Sequence, residues 1–131
     1  MGFTFQWDDE RKTVLRYVAA GEWNWKDYHY IVRASLFHLH RLGHPVDVIV
    51  DLSGSTRARM PAGIQAHVRT MGRKDQANLS GRAVVIGMPA EDVQALTGDS
   101  RILKTTDGMI LFVDDDEAAR AVIAGWRAAE A

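Results

Sequence analysis

The sequence predicts an α/β fold: one domain with a mixed, mostly parallel five-stranded sheet and about four helices. Three observations carry that expectation. Val46-Asp47-Val48-Ile49-Val50-Asp51-Leu52 is a nearly continuous β-branched run, the pattern of a strand covered on both faces as in a parallel sheet. From residue 24 onward, stripes at helical spacing alternate with apolar runs, the order that parallel crossovers require. The first twenty residues instead alternate with period two, which marks a half-buried hairpin. A chain of 131 residues fits a single domain, 1–131, able to bury roughly two-thirds of its unfolded surface.

Taken in order, Phe3, Phe5 and Trp7 alternate with Thr4 and Gln6, Asp8 to Lys12 forms a polar turn, and Thr13 to Ala19 returns as the second strand. Gly21 closes the hairpin. Asn24 is placed to cap a helix, with Asp27 three residues on in the position that reaches back to the cap. Tyr28, Ile31, Val32, Ser35, Leu36, Leu39 and Leu42 share one stripe of that helix. Gly43 is expected to stop it in a left-handed conformation, with Pro45 preventing continuation. Val46 to Leu52 is the third strand. Pro61 to about Asp75 reads as the second helix, with Ile64, Val68 and Met71 inward and Gln65, Arg69 and Arg73 outward.

Asn78 to Gly81 reads as a turn and Arg82 to Gly87 as a central fourth strand. Pro89 opens a third helix carrying Val93 and Leu96. A short apolar piece at Ile102 and Leu103 precedes the fifth strand, Met109 to Val113. Asp114 to Glu117 starts the last helix with capping-box spacing and acids at the positive end of its dipole. Ala118, Val122, Ile123 and Trp126 form its inner face.

Composition narrows the class. No apolar run approaches the span of a bilayer, and the N-terminus has neither a basic segment nor an apolar one of the signal-peptide kind. Gly2 with Gln6 does not complete a myristoylation signal. With no cysteine the chain has no thiolate chemistry, and a cytoplasmic setting is expected. A net charge of −1 argues against a dedicated nucleic-acid binder.

The order of elements, together with four short motifs, resembles the STAS family, the fold of bacterial anti-sigma-factor antagonists and of sulfate-transporter tails. In particular the chain resembles the SpoIIAA-like branch of small standalone proteins. The motifs are Gly21 before Trp23-Asn24-Trp25-Lys26-Asp27, then Val48-Ile49-Val50-Asp51-Leu52-Ser53-Gly54, then Val84-Val85-Ile86-Gly87, and finally Asp116-Glu117-Ala118-Ala119-Arg120-Ala121-Val122-Ile123. The resemblance implies a regulatory protein-binding module rather than an enzyme. It also implies a phosphorylated serine in an Asp-Ser-Ser-Gly pattern after the third strand. Here that region reads Arg59-Met60-Pro61-Ala62-Gly63, with no serine before Gly63, so the switch residue has no counterpart.

Residue chemistry agrees that no enzyme is written in the chain. Asp51 ends a central strand as a receiver phosphoacceptor does, but the last strand leads into aspartates and offers no lysine, so Asp51 is expected to accept hydrogen bonds from loop amides. Asp114, Asp115 and Asp116 are adjacent and cannot all face one ion. His29, His38, His40, His44 and His67 lack zinc-ligand spacing. No metal or cofactor is expected. Arg57, Arg59, Arg69, Arg73, Lys74 and Arg82 read as solvated surface.

The expected working surface is therefore the loop after Asp51. Ser53, Ser55, Thr56, Arg57 and Arg59 would dock a protein partner, or bind an anion together with the amides that open the Pro61 helix. Of the neighbouring Trp23 and Trp25, core packing of both is weighed against one, taken as Trp25, facing a partner. The expected partner is another protein or a second copy, the latter giving a homodimer, without nucleic acid or membrane insertion. The alternative is a small apolar ligand, since STAS-like domains resemble a lipid-carrying fold.

Overall fold

A computed structural model describes residues 2–74 and 78–130. Strands β1 (Phe3–Trp7) and β2 (Val14–Gly21) form the expected antiparallel hairpin. Helix α1 (Trp25–Leu39) then crosses to β3 (Val46–Ser55), and the short α2 (Ile64–Arg69) runs into a 3-10 turn over Thr70–Gly72. The chain continues through β4 (Leu79–Ile86), α3 (Ala90–Thr97), β5 (Ile102–Lys104), β6 (Met109–Val113) and α4 (Asp116–Glu130).

The sheet runs β1-β2-β3-β4-β6-β5. The three interior pairings, β2 with β3, β3 with β4 and β4 with β6, are parallel, and the two outer ones are antiparallel. The expected five-stranded sheet thus gains a sixth, three-residue strand from the piece around Ile102, too short to show a period in the sequence. The long β-branched run is an interior strand with parallel neighbours on both sides.

Alternation along β3 builds both layers. Val48, Val50 and Leu52 face Tyr28 and Leu39 of α1, Val68 of α2 and Val93 of α3, all in one buried cluster. Ile49 faces the other way and joins Val84, Ile86, Ala119 and Ile123 beneath α4. Each such valine or isoleucine contributes about 1.5–3 kcal/mol of burial. In the larger cluster the Tyr17 hydroxyl donates to Ser35 Oγ (2.7 Å), which in turn donates to the Val32 carbonyl (2.7 Å), so two buried hydroxyls satisfy each other.

Several boundaries differ from the sequence reading. The Asn24–Asp27 capping box is present, but α1 ends at Leu39, and Gly43 is not left-handed. Asn78 Nδ2 reaches across to the carbonyls of Leu39 and Leu42 (both 2.6 Å) and satisfies the helix end from outside. The second helix begins at Ile64, not Pro61; its expected end near Asp75 lies outside the described residues. Ile64, Val68 and Met71 do turn inward. Leu79 to Gly81 belong to β4 rather than to a turn. The last helix is capped by Asp115, whose Oδ1 accepts from the Ala118 amide (2.8 Å), one residue later than expected.

Candidate functional site

The segment from Ser53 to Gly63 comprises the last three residues of β3, which runs on to Ser55 past the Leu52 expected from the sequence, and the loop that follows it. It lies beside the ends of β2 and β4, where open parallel sheets present their ligand-facing loops. The strands crowd here. A Cβ on Gly54 would lie 2.6 Å from the Ala19 carbonyl, and Gly87, at φ +79°, would place one 3.0 Å from the Ser53 amide. Glycine at both positions lets β2, β3 and β4 close around the start of the loop.

Asp51 braces that start from the α4 side. It accepts from the Ser53 amide (2.9 Å) and hydroxyl (2.5 Å), as the sequence suggested, and also from Arg16 Nη1 (2.9 Å). Arg16, only 4% exposed, sends Nε to Asp8 and Nη1 to Asp116, both at 2.9 Å. Arg120 contacts Asp8 as well (3.1 Å). Burial pushes the Asp8 carboxyl up, but Arg120 and Arg16 outweigh it and hold it below its ordinary range. Asp51 therefore works as a structural acceptor inside an ion network.

Two buried indoles anchor the loop from the α1 side. Trp23 Nε1 donates to Ser55 Oγ (2.8 Å), which also accepts from the Arg57 amide (3.2 Å). Trp25 Nε1 donates to the Pro61 carbonyl (3.2 Å). The Thr56 amide donates to the Gly21 carbonyl (3.0 Å). Arg57 fastens the loop further, giving Nη1 to the Trp23 carbonyl (3.0 Å) and to Glu22 (3.2 Å), and Nε to the Arg59 carbonyl (3.2 Å). Trp23 and Trp25 meet edge to face at 5.1 Å, and His67 of α2 stacks on Trp25 at 4.9 Å.

Among the sequence-derived site residues, Ser53, Thr56 and Arg59 are exposed on this loop, whereas Ser55 and Arg57 are half-buried and spent on its internal bonds. Trp25 is a correction. It is 6% exposed, because its ring fills the space between α1 and α2, so it offers no face to a partner. The helix whose opening amides were expected at Pro61 has six residues and starts at Ile64, behind a left-handed Gly63.

A cavity of about 60 Å³ is lined by Arg59 and Met60 of the loop and by Gly87 and Pro89 after β4. Burial and then Glu91 push the Asp92 carboxyl up, while Arg59 opposes them.

Three features escaped the sequence reading. The Arg16 network is one; its signal was a lone cation inside the apolar run from Val14 to Val18. A second is the bond between His29 Nε2 and His67 Nδ1 (2.9 Å), which ties α1 to α2. Burial first, then His67, Arg33 and Arg73, lower the His29 pKa. The third is the exposure of Tyr30 and Phe37, which stand off the apolar stripe of α1. The three adjacent aspartates part company: Asp114 pairs with Arg101, Asp115 caps α4 and Asp116 meets Arg16. Among the described residues no group of three or more metal-ligating side chains assembles.

A cleft of about 850 Å³ lies at the opposite end of the strands, around Asp47, Arg82, Arg127 and Lys74. Its lining mixes these charged groups with Pro45 and Leu79. No helix among the described residues is long and apolar enough to cross a membrane.

The element order, the mixed sheet and the helix layers define a SpoIIAA-like α/β fold, the one that the four sequence motifs implied. It is similar to the crystal structure of an uncharacterized protein of the DUF3478 family from Shewanella loihica PV-4, itself described as having a SpoIIAA-like fold. The TM-score is 0.59 at 16% identity, over 92% of this chain and 93% of the other, a likeness of fold alone. No family model and no curated protein matches the chain.

Proposed function

We propose that this protein is a non-enzymatic regulatory module that docks a protein partner on the segment from Ser53 to Gly63, the end of β3 and the loop after it. The observation behind this reading is the anchoring of that loop. Trp23, Trp25 and Arg57 fix its interior side through four hydrogen bonds to Ser55, Pro61, Trp23 and Arg59, while Ser53, Thr56, Ala58 and Arg59 face solvent. A loop held this way saves a partner about 0.5–1.5 kcal/mol for each side chain it need not immobilise. Asp51, the group with catalytic potential, is committed to Ser53 and Arg16.

Affinity capture from the cells of origin, with wild-type and Arg59→Glu proteins side by side, tests the reading. A partner recovered by wild type should be lost with the variant, and titration of the purified partner should show at least a tenfold weaker Kd. Equal recovery with both proteins refutes the loop as the docking surface.

A further inference from the structure

The outer face of α1 carries residues that neither the core nor the loop uses. Tyr30 is 65% exposed and Phe37 is 78% exposed, the two most exposed large apolar side chains among the described residues. They stand seven positions apart, two helical turns or about 10 Å along the axis. Lys26 precedes Tyr30 and Arg33 lies between the two rings, both exposed. At 100° per residue these four side chains fall within roughly a 60° arc. That arc lies opposite the buried face of Trp25, Tyr28, Ser35 and Leu39.

The helix itself explains none of the four. Lys26 sits in the first turn, where the dipole disfavours a cation. Neither cation has an acid three or four residues away that is free to pair with it. Glu22, four residues before Lys26, is bonded to Arg57, and the neighbours of Arg33 at that spacing are His29, Tyr30, Leu36 and Phe37. The one acid on α1, Asp27, bonds back to the Asn24 amide. Arg41, two residues past the helix end, is a third exposed cation close by in the chain.

We infer that this face is a second docking surface, and that its occupant is an acidic amphipathic segment of a partner protein. An apolar side chain of that segment seats between Tyr30 and Phe37, and flanking carboxylates meet Lys26, Arg33 and Arg41. Charge complementarity selects the acid, and the spacing of the two rings selects a single helix or strand. A bilayer surface is a poorer match. Lipid-facing helices present a broad apolar face, whereas α1 turns its broad face to the core and leaves two rings split by a guanidinium.

A random-sequence peptide library displayed and selected on the folded protein tests this even while the partner is unidentified. The expected winners carry an excess of Asp and Glu around spaced apolar residues. Their affinity should fall at least tenfold on Phe37→Ser and again on Arg33→Glu, surface changes that leave thermal unfolding in place. Arg59→Glu should leave it unchanged, which separates this face from the loop. Winners without acidic excess, affinity unmoved by both α1 substitutions, or an empty selection would each overturn the inference. So would Phe37-dependent cosedimentation with phosphatidylglycerol vesicles, or a Phe37-dependent dimer in light scattering.

Discussion

Replacing Arg16 by methionine gives the sharpest prediction about how the loop is held. The guanidinium contacts Asp8, Asp51 and Asp116, all at 2.9 Å, and its own side chain is 5% exposed. Asp8 and Asp51 are 10% and 15% exposed, so losing the cation strands two nearly buried carboxylates. Breaking a buried pair in this one-sided way costs about 3–5 kcal/mol. Arg120 still holds Asp8, Ser53 still holds Asp51, and Asp116 is half in water, which puts the expected loss near the lower end, about 3 kcal/mol. For a chain of this size that is a fall in Tm of about 9–15 °C.

The loss should also depend on pH in a definite direction. In the wild type the folded Asp8 pKa lies below the unfolded value of 3.8. Its contribution is therefore fully present above 3.8 and fades as pH falls through the folded value. Without Arg16, burial of Asp8 counts for more and its folded pKa rises, so acid harms the variant less. Thermal unfolding followed by circular dichroism at about pH 7 and about pH 3 should show the gap between the two proteins narrowing in acid. A gap below about 1 kcal/mol near neutral pH, the scale of an exposed pair, or one that does not change with pH, refutes the role given to this network.

Two further outcomes follow from the same geometry. Trp23→Phe keeps the edge-to-face contacts with Phe3 and Trp25 but deletes the N–H to Ser55, so it should cost about 1 kcal/mol and speed tryptic cleavage at Arg57 and Arg59 several-fold. Unchanged cleavage would mean that the indole does not anchor the loop. Burial pushes the Tyr17 phenol up to about 12, and burial followed by the neighbouring Tyr17 raises the Tyr28 phenol well above its ordinary value. Of the three tyrosines, ultraviolet titration of the folded protein should therefore show no more than one phenolate equivalent up to about pH 11, and a second equivalent below that pH would contradict the packing of the aromatic cluster.

What the sequence made legible was local chemistry and periodicity. The β-branched run from Val46, the Asn24–Asp27 cap and the inward trio Ile64, Val68 and Met71 each follow from spacing alone, and each stands in the structure. Where the reading failed, a distant partner decided the outcome. Gly43 and Pro45 promised a left-handed stop, but Asn78, far along the chain, satisfies the helix end and lets it finish at Leu39. Pro61 promised a helix start, but its carbonyl is taken by Trp25, and the helix waits for Ile64. The loop's location was legible; its anchoring was not, because Ser55 and Arg57 read as free turn and surface groups until the indole and carbonyl of Trp23 are brought beside them.

Whether the loop after β3 is the docking surface can be read from a photo-crosslinking amino acid placed at exposed Ala58 in the cells of origin, with the same probe at exposed Ala124 of α4 as the control. A discrete adduct with one protein is expected from the probe at Ala58, none from the probe at Ala124, and the adduct should vanish when Arg59→Glu is added. No adduct from the Ala58 probe, or the same adducts from both probes, would mean that partners do not meet the protein on this loop.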